Sequence, residues 1–261
     1  MRSLFALCLL CSSGVALAQP RPDSAAVVSA HPLASEAGSL ILNAGGNAFD
    51  AAVAVTAALA VVEPAGSGLG GGGFWLLQRA ADGHQVMVDG RERAPLQATA
   101  DMYLDAQGEP IAGASIDGPL AAGIPGVPAA LQHIAREYGR LPLAVSLAPA
   151  IDLARNGFQV DPVYRRLAGF RLSALRASAA ASAQFLVNGE VPPAGHRIRQ
   201  PALADTLEAI AQRGAPAFYS GPIAQRLVAA VQAAGGIWTL EDLREYQVIE
   251  RAPIVAQYQG H

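Results

Sequence analysis

The chain has 261 residues, a formal net charge of −3 and 52% apolar residues, an ordinary composition for a globular protein with a sizeable core. It contains no lysine, since all 18 basic residues are arginine. This excludes a P-loop lysine and a lysine Schiff base to pyridoxal phosphate. Nothing in the composition indicates a nucleic-acid partner.

The N-terminus predicts a secretory signal peptide over residues 1–18. Arg2 supplies the positive end, a short apolar segment follows, and Ala16-Leu17-Ala18 forms a small-x-small cleavage site. The apolar segment is too short to span a membrane, so an anchor is disfavoured. We therefore expect the protein to be periplasmic or secreted.

Cleavage after Ala18 would remove both cysteines, Cys8 and Cys11. A lipoprotein site is disfavoured because two leucines, rather than small residues, precede Cys11. The remaining chain, residues 19–261, would hold no disulfide and no thiol nucleophile.

The first predicted elements are a short strand at residues 25–29 and a helix at 33–44 that ends at Gly45-Gly46. Asn47 is a good N-cap for a second helix at 48–62, with Asp50 in its first turn. This helix carries no charge after Asp50. Because it is apolar on every face, we expect it in the middle of the fold.

Residues 64–95 combine a glycine run, a strand at 74–77, a turn and a second strand at 85–89 that leads into Arg91. Consecutive glycines leave a stretch of backbone without side chains, so another segment or a ligand can approach closely. An arginine at a strand end suits a planar anion, because its guanidinium pairs with a carboxylate through two hydrogen bonds. The alternative is an ordinary glycine turn followed by a solvated charge.

The glycine run also matches the dinucleotide-binding spacing G-x-G-x-x-G, beginning at Gly66 or at Gly68. That fingerprint requires a strand before the glycines and a helix after them, so that phosphates meet a helix N-terminus. Here a helix precedes the glycines and a strand follows. The order of elements excludes a dinucleotide site.

The rest of the chain is predicted to be mainly helical. Two short pieces interrupt the helices, a small-residue loop at 178–182 and a hairpin-like piece at 185–191, and a strand closes the chain at 249–258. Thr239 and Asp242 indicate a capping box. The predicted helices are residues 127–138, 142–156, 162–177, 201–212, 223–234 and 240–246.

Catalytic chemistry is hard to place from the residues alone. The five histidines show no metal-ligand spacing, and we expect no metal and no cofactor. The acids of the core elements have the positions of caps or ion-pair partners: Glu36, Asp50, Glu63 and Asp89. None of the four threonines has the position of a nucleophile exposed by processing: Thr56, Thr99, Thr206 and Thr239.

Six short strings in order resemble the gamma-glutamyltransferase family, also called glutathione hydrolases, from about residue 25 to the end. They are EAGSLILNAGGNAFD (36–50), GSGLGGGGF (66–74), DGRERAP (89–95), AGIPGVP (122–128), ARNG (154–157) and FYSG (218–221). The resemblance implies an α+β fold of the N-terminal-nucleophile hydrolase class, an αββα sandwich. It also implies an exported precursor that cuts itself and exposes an N-terminal threonine, whose amine serves as its base.

In that family such enzymes cleave gamma-glutamyl amides such as glutathione and transfer the glutamyl group to water or to an amino acid. Arg91, in DGRERAP, matches the arginine that binds the α-carboxylate of the glutamyl group. The nucleophile and the oxyanion-hole glycines have no counterpart here. We therefore expect an incomplete sandwich, a truncated large-subunit region whose partner is the missing small subunit.

Two hypotheses follow. In the first, the chain is the substrate-recognition part of a gamma-glutamyltransferase, with a cephalosporin-acylase-like relative as a variant. In the second, it is a non-catalytic module for gamma-glutamyl binding or for assembly. A processing-site threonine in a continuing reading frame would favour the enzyme.

Overall fold

The computed structural model describes residues 24–259, so the proposed signal peptide, its cleavage site and both cysteines lie outside the described residues. Within this range the helices are α1 (Pro32–Asn43), α2 (Ala48–Val62), α3 (Val127–Glu137), α4 (Leu143–Asn156), α5 (Pro162–Phe170), α6 (Leu172–Ala177), α7 (Ala179–Phe185), α8 (Pro201–Arg213), α9 (Pro216–Tyr219), α10 (Gly221–Ala233) and α11 (Leu240–Arg244). The strands are β1 (Gly73–Arg79), β2 (His84–Gly90), β3 (Phe158–Gln159), β4 (Arg197–Ile198) and β5 (Ile249–Arg251).

Helix α2 is the centre of the helical layer. It packs against α1, α3 and α4, and α4 packs in turn against α8. Its alanines and valines are buried on several faces, as its uncharged sequence predicts. The predicted cap is confirmed: the Asn47 side chain accepts from the backbone of Phe49 and Asp50, and the Asp50 carboxylate accepts from the Asn47 N–H.

The main sheet is antiparallel, in the order β1-β2-β5. Phe74 pairs with Asp89 and Leu76 with Met87, and these residues point away from the helices. The alternate residues of the two strands form the opposite face. They include Leu77 and Val88, which are buried in the core shared with the helices. One sheet face is therefore packed and the other is open.

This arrangement is the predicted α+β class. Helices cover one face of an antiparallel sheet, which is one α-layer and one β-layer of an αββα sandwich. Phe74 is 56% exposed and Leu76 is 70% exposed on the uncovered face. Among the described residues, no helix is both long and apolar enough to cross a membrane.

Two sequence predictions near the chain ends were wrong. Residues 25–29 form no strand, because Val27 packs against Gly38 of α1 instead of pairing in a sheet. The last strand covers only Ile249–Arg251, not residues 249–258. Pro253 has no N–H to donate to a neighbouring strand, which is consistent with this early end.

The region at 162–185 was also predicted incorrectly. The single helix at 162–177 is two helices, α5 and α6, with a break at Arg171, whose guanidinium pairs with Asp117. The small-residue loop at 178–182 belongs to helix α7, since alanines are strong helix formers and Ser178 caps them. The hairpin-like piece predicted at 185–191 is confirmed only from Val187 to Glu190, since Phe185 ends helix α7. Asn188 and Gly189 between them both have positive φ, as a tight two-residue turn requires.

Candidate functional site

The glycine run lies against two other segments of the chain. The carbonyl of Gly71 accepts hydrogen bonds from the backbone of Gly126 (2.8 Å) and Val127 (3.1 Å), at the start of α3. A Cβ at Gly72 would lie 2.5 Å from the backbone nitrogen of Glu92 and 2.6 Å from the Gly90 carbonyl oxygen. The predicted close approach is confirmed, and the approaching segment is the chain itself, immediately beside Arg91.

Arg91 follows the last residue of β2, as the sequence predicts. Its side chain is 60% exposed, and its Nη1 lies 2.9 Å from Oε2 of Glu92. That distance makes an ion pair, although Oε2 accepts no hydrogen bond from any described residue. A fork of guanidinium N–H groups is thus presented beside a pocket wall made of glycine backbone.

The backbone of Arg91 is held on both sides. Its N–H donates to Oδ1 of Asp89 at 3.1 Å, and its carbonyl accepts from the Tyr246 hydroxyl at 2.7 Å. Asp89 orients Arg91 through this backbone contact. The other oxygen of Asp89 accepts from Nε of Arg251 at 2.7 Å. This bond from Arg251, followed by the Arg91 N–H, holds the pKa of Asp89 below its ordinary value.

An open cavity of about 460 Å³ lies in front of Arg91. Its other walls are the glycine run with Ser67, the turn at Pro64 and Ala65, and the residues Thr56, Trp75, Glu92 and Val127. The Thr56 hydroxyl donates to the Ala52 carbonyl at 2.8 Å and accepts from Nε1 of Trp75 at 3.2 Å. This threonine is therefore engaged at both its donor and its acceptor.

A second cavity, of about 240 Å³, shares Pro64 and Ala65 with the first. Its other walls come from α5, α6 and α7 and are mainly apolar, with Tyr164 and Phe185 among them. The two cavities meet at the turn that follows α2. The order of elements in the sequence does not indicate that this second cavity lies beside the first.

The histidines do not converge on the site. His31 caps α1 by accepting from the Leu33 N–H, and burial lowers its pKa. His133 lies 2.8 Å from Glu250 of β5, and His261 lies outside the described residues. Between residues 24 and 259, no cluster of three or more histidine, cysteine or acidic side chains could hold a metal ion.

Sequence reasoning proposed Arg91 as a substrate-binding residue, assigned no site role to Tyr246 or Trp75, and named Thr56 only as a threonine not positioned as a nucleophile. Trp75 lies within a predicted strand, but only its partner on α2 shows that it faces the cavity. Tyr246 is separated from Arg91 by 155 residues, and no local pattern indicates the contact.

Comparisons with known proteins agree with the six strings. The profile of the gamma-glutamyltranspeptidase family matches residues 34–261. A glutathione hydrolase proenzyme from Pseudomonas sp. (strain A14) is 42% identical over 244 residues, which are 92% of this chain and 42% of the relative. The chain thus spans less than half the length of that protein.

Solved structures show the same likeness. The gamma-glutamyltranspeptidase of Helicobacter pylori superposes with a TM-score of 0.89 at 39% identity, covering 93% of this chain and 70% of that one. A cephalosporin acylase from Bacillus halodurans superposes with a TM-score of 0.79 at 32% identity, covering 94% of this chain and 47% of that one.

Proposed function

Because the chain belongs to the gamma-glutamyltranspeptidase family and has the fold of its N-terminal-nucleophile hydrolases, we propose that it supplies substrate recognition in a glutathione hydrolase. The complete enzyme would cleave gamma-glutamyl amides and transfer the glutamyl group to water or to an amino acid. The observation that supports this most is Arg91, an exposed guanidinium beside a glycine-walled cavity. Its planar fork suits the α-carboxylate of a gamma-glutamyl group.

The nucleophile would come from a second portion of the enzyme, the small subunit. The four described threonines have other contacts: Thr56 bonds within α2 and to Trp75, Thr99 bonds to the side chain of Asp101, Thr206 bonds within α8, and Thr239 caps α11. An N-terminal threonine that uses its own amine as base would instead attack the gamma-glutamyl carbonyl and form an acyl-enzyme. The open sheet face and the 42% coverage of the relative support a missing partner.

The test compares Arg91→Lys with Arg93→Lys in the complete enzyme, in which this chain is joined to the portion that carries the nucleophile. Arg91→Lys is expected to raise KM for a gamma-glutamyl anilide about 10- to 100-fold, the effect of losing one charge-assisted hydrogen bond. Lysine keeps the charge but cannot form the bidentate pair.

Arg93 is the matched control. It stands two residues away in the same segment, and its Nη1 donates to the carbonyl of Glu245 at 3.4 Å. Arg93→Lys should change KM less than about 3-fold. A larger effect at Arg93 than at Arg91 would mean that Arg93, and not Arg91, binds the α-carboxylate. No effect at either would place the carboxylate site elsewhere.

The same assay separates the alternatives. A non-catalytic gamma-glutamyl-binding or assembly module would show binding without turnover in any assembly. The likeness to the cephalosporin acylase favours an acylase-type relative as the other alternative. Such a relative would turn over an acylated β-lactam in preference to a gamma-glutamyl anilide.

Export is part of the proposal. The Ala16-Leu17-Ala18 site and the short apolar segment before it support removal of residues 1–18 and a periplasmic or secreted protein. Intact-mass measurement on protein from a secreting host should give a chain that begins at Gln19. A product that retains Cys8 would contradict this.

A further inference from the structure

Tyr246 contacts the candidate substrate arginine from the far end of the sequence. Its side chain is buried, at 8% exposure, and its hydroxyl donates to the carbonyl oxygen of Arg91 at 2.7 Å. The ring stacks on Tyr219 with centroids 5.5 Å apart and planes 6° from parallel. Burial raises the pKa of Tyr246 to about 12, so the hydroxyl remains a donor at neutral pH.

The segment that carries Tyr246 is fastened to the segment that follows Arg91. Helix α11 begins with the capping box of Thr239 and Asp242, and Oδ1 of Asp242 accepts from the backbone N–H of Leu96 at 2.6 Å. The segment from Asp242 to Tyr246 is therefore held at both ends, by the bond to Leu96 and by the bond to Arg91. Tyr246 has little freedom to point elsewhere.

The chain also leaves room for this hydroxyl. A Cβ at Gly126 would lie 2.2 Å from the Tyr246 oxygen and 2.0 Å from the Gly90 carbonyl oxygen, so only glycine fits there. Gly126 lies in the AGIPGVP string and has a negative φ of −116°, which any residue can adopt. Close approach, not backbone conformation, requires this glycine.

Asp89 and Tyr246 together fix both peptide groups of Arg91. Asp89 holds the N–H and Tyr246 holds the carbonyl, so the direction of the Cα–Cβ bond is set. The side-chain torsions, which the ion pair with Glu92 engages in the free chain, remain for substrate binding to order. Restricting a binding group before the ligand arrives increases affinity by lowering that ordering cost.

We infer that Tyr246 is a positioning residue for Arg91: its hydrogen bond to the Arg91 carbonyl aims the guanidinium at the α-carboxylate of a gamma-glutamyl substrate. This inference rests on the proposed function. It predicts that the hydroxyl acts on substrate binding and leaves the chemical step unchanged.

The test uses Tyr246→Phe, which removes one oxygen and keeps the ring stack. The complete enzyme is assayed with L-gamma-glutamyl p-nitroanilide and with two inhibitors, L-glutamate and its α-amide isoglutamine. KM and the inhibition constant of L-glutamate should rise about 3- to 10-fold, as expected for one neutral hydrogen bond. kcat should stay within about 2-fold, and isoglutamine, which has no α-carboxylate, should respond less.

Tyr219→Phe is the matched control. Its hydroxyl donates to the Pro125 carbonyl at 2.8 Å, and its ring is the other half of the stack, but it does not contact Arg91. It should lower the melting temperature and leave KM unchanged. If it raises KM as much as Tyr246→Phe, the effect is general packing and the inference fails.

A second measurement uses the 261-residue chain itself. Amide hydrogen exchange at Arg91 and Glu92 should be faster in Tyr246→Phe than in Tyr219→Phe. Equal exchange in the two variants would overturn the inference. If Arg91→Lys leaves L-glutamate inhibition unchanged, the proposed function fails; if Arg91→Lys weakens it and Tyr246→Phe does not, only the positioning role fails.

Discussion

Asp50 is a single carboxylate that joins three parts of the helical layer. It is fully buried, and its oxygens accept from the backbone N–H groups of Asn47 (2.9 Å), Arg140 (2.9 and 3.1 Å) and Leu141 (3.3 Å). A Cβ at Gly139 would lie 2.5 Å from Oδ1, so the turn after α3 is shaped around this carboxylate. One residue thus caps α2 and ties it to the start of α4.

Asp50→Ala should lower the free energy of unfolding by about 3 kcal/mol or more, because it removes charge-assisted hydrogen bonds and leaves buried donors without acceptors. Asp105→Ala is the control, since Oδ1 of Asp105 accepts from the N–H groups of Gln107 and Glu109 at an exposed turn. It should cost less than about 1 kcal/mol. Urea unfolding of both variants measures the difference; equal losses would mean that burial of Asp50 contributes nothing.

At the scale of elements, β5 is held to the sheet by carboxylates as well as by its backbone. Asp89 of β2 bonds to Arg251, and Glu250 accepts from the Tyr138 hydroxyl at 2.6 Å and lies 2.8 Å from His133. The bond from Tyr138, followed by that from His133, lowers the pKa of Glu250 from its ordinary value of 4.5. The pKa of Asp89 is lowered from 3.8, mainly by Arg251.

Because both folded-state pKa values are lowered, the stabilisation is present above the ordinary values and is lost as pH falls through the folded ones. We therefore expect the protection factors of the β5 amides, which correct for the intrinsic pH dependence of exchange, to be lower below about pH 4 than at pH 7, while amides of α2 stay protected. In the double variant Asp89→Asn, Glu250→Gln, β5 should exchange fast already at pH 7. The same acid-dependent loosening in that variant would show that other groups are responsible.

Local chemistry explains which elements the sequence predicts correctly. Asn47 and Asp50 act within one helical turn, and the Asn188-Gly189 turn depends on its own residues. The local sequence therefore predicts both the cap and the turn. Arg91 could be proposed from the sequence because it directly follows a predicted strand and lies in the string DGRERAP. Tyr246 could not, since its role depends on a contact with a residue 155 positions away that only the folded chain creates.

At the scale of the whole molecule, the described residues place helices against one face of the three-stranded sheet and leave its other face open. The exposed side carries Phe74 and Leu76 of β1 and Ile249 of β5, which is 46% exposed. A face of this kind is typical of a surface that another layer covers. In the proposed enzyme the covering layer would be supplied by the small subunit.

The adjacent residues Leu76 and Leu77 test this directly, because they point to opposite faces of the same strand. Leu76 is 70% exposed and Leu77 is 6% exposed. Leu76→Ser should change the free energy of unfolding of the isolated chain by less than about 0.5 kcal/mol and reduce binding of a hydrophobic dye. Leu77→Ser should cost at least about 2 kcal/mol, because it creates a cavity in the core.

In the assembled enzyme Leu76→Ser should no longer be the harmless substitution of the two. Leu76→Ser should then weaken association with the small subunit, measured as a lower yield of complex at equal expression, since its side chain would be buried in the interface. If Leu76→Ser destabilises the isolated chain as much as Leu77→Ser, the outer face is already covered in the chain alone. The face would then belong to a self-sufficient domain, and the second layer of the sandwich would have to pack elsewhere.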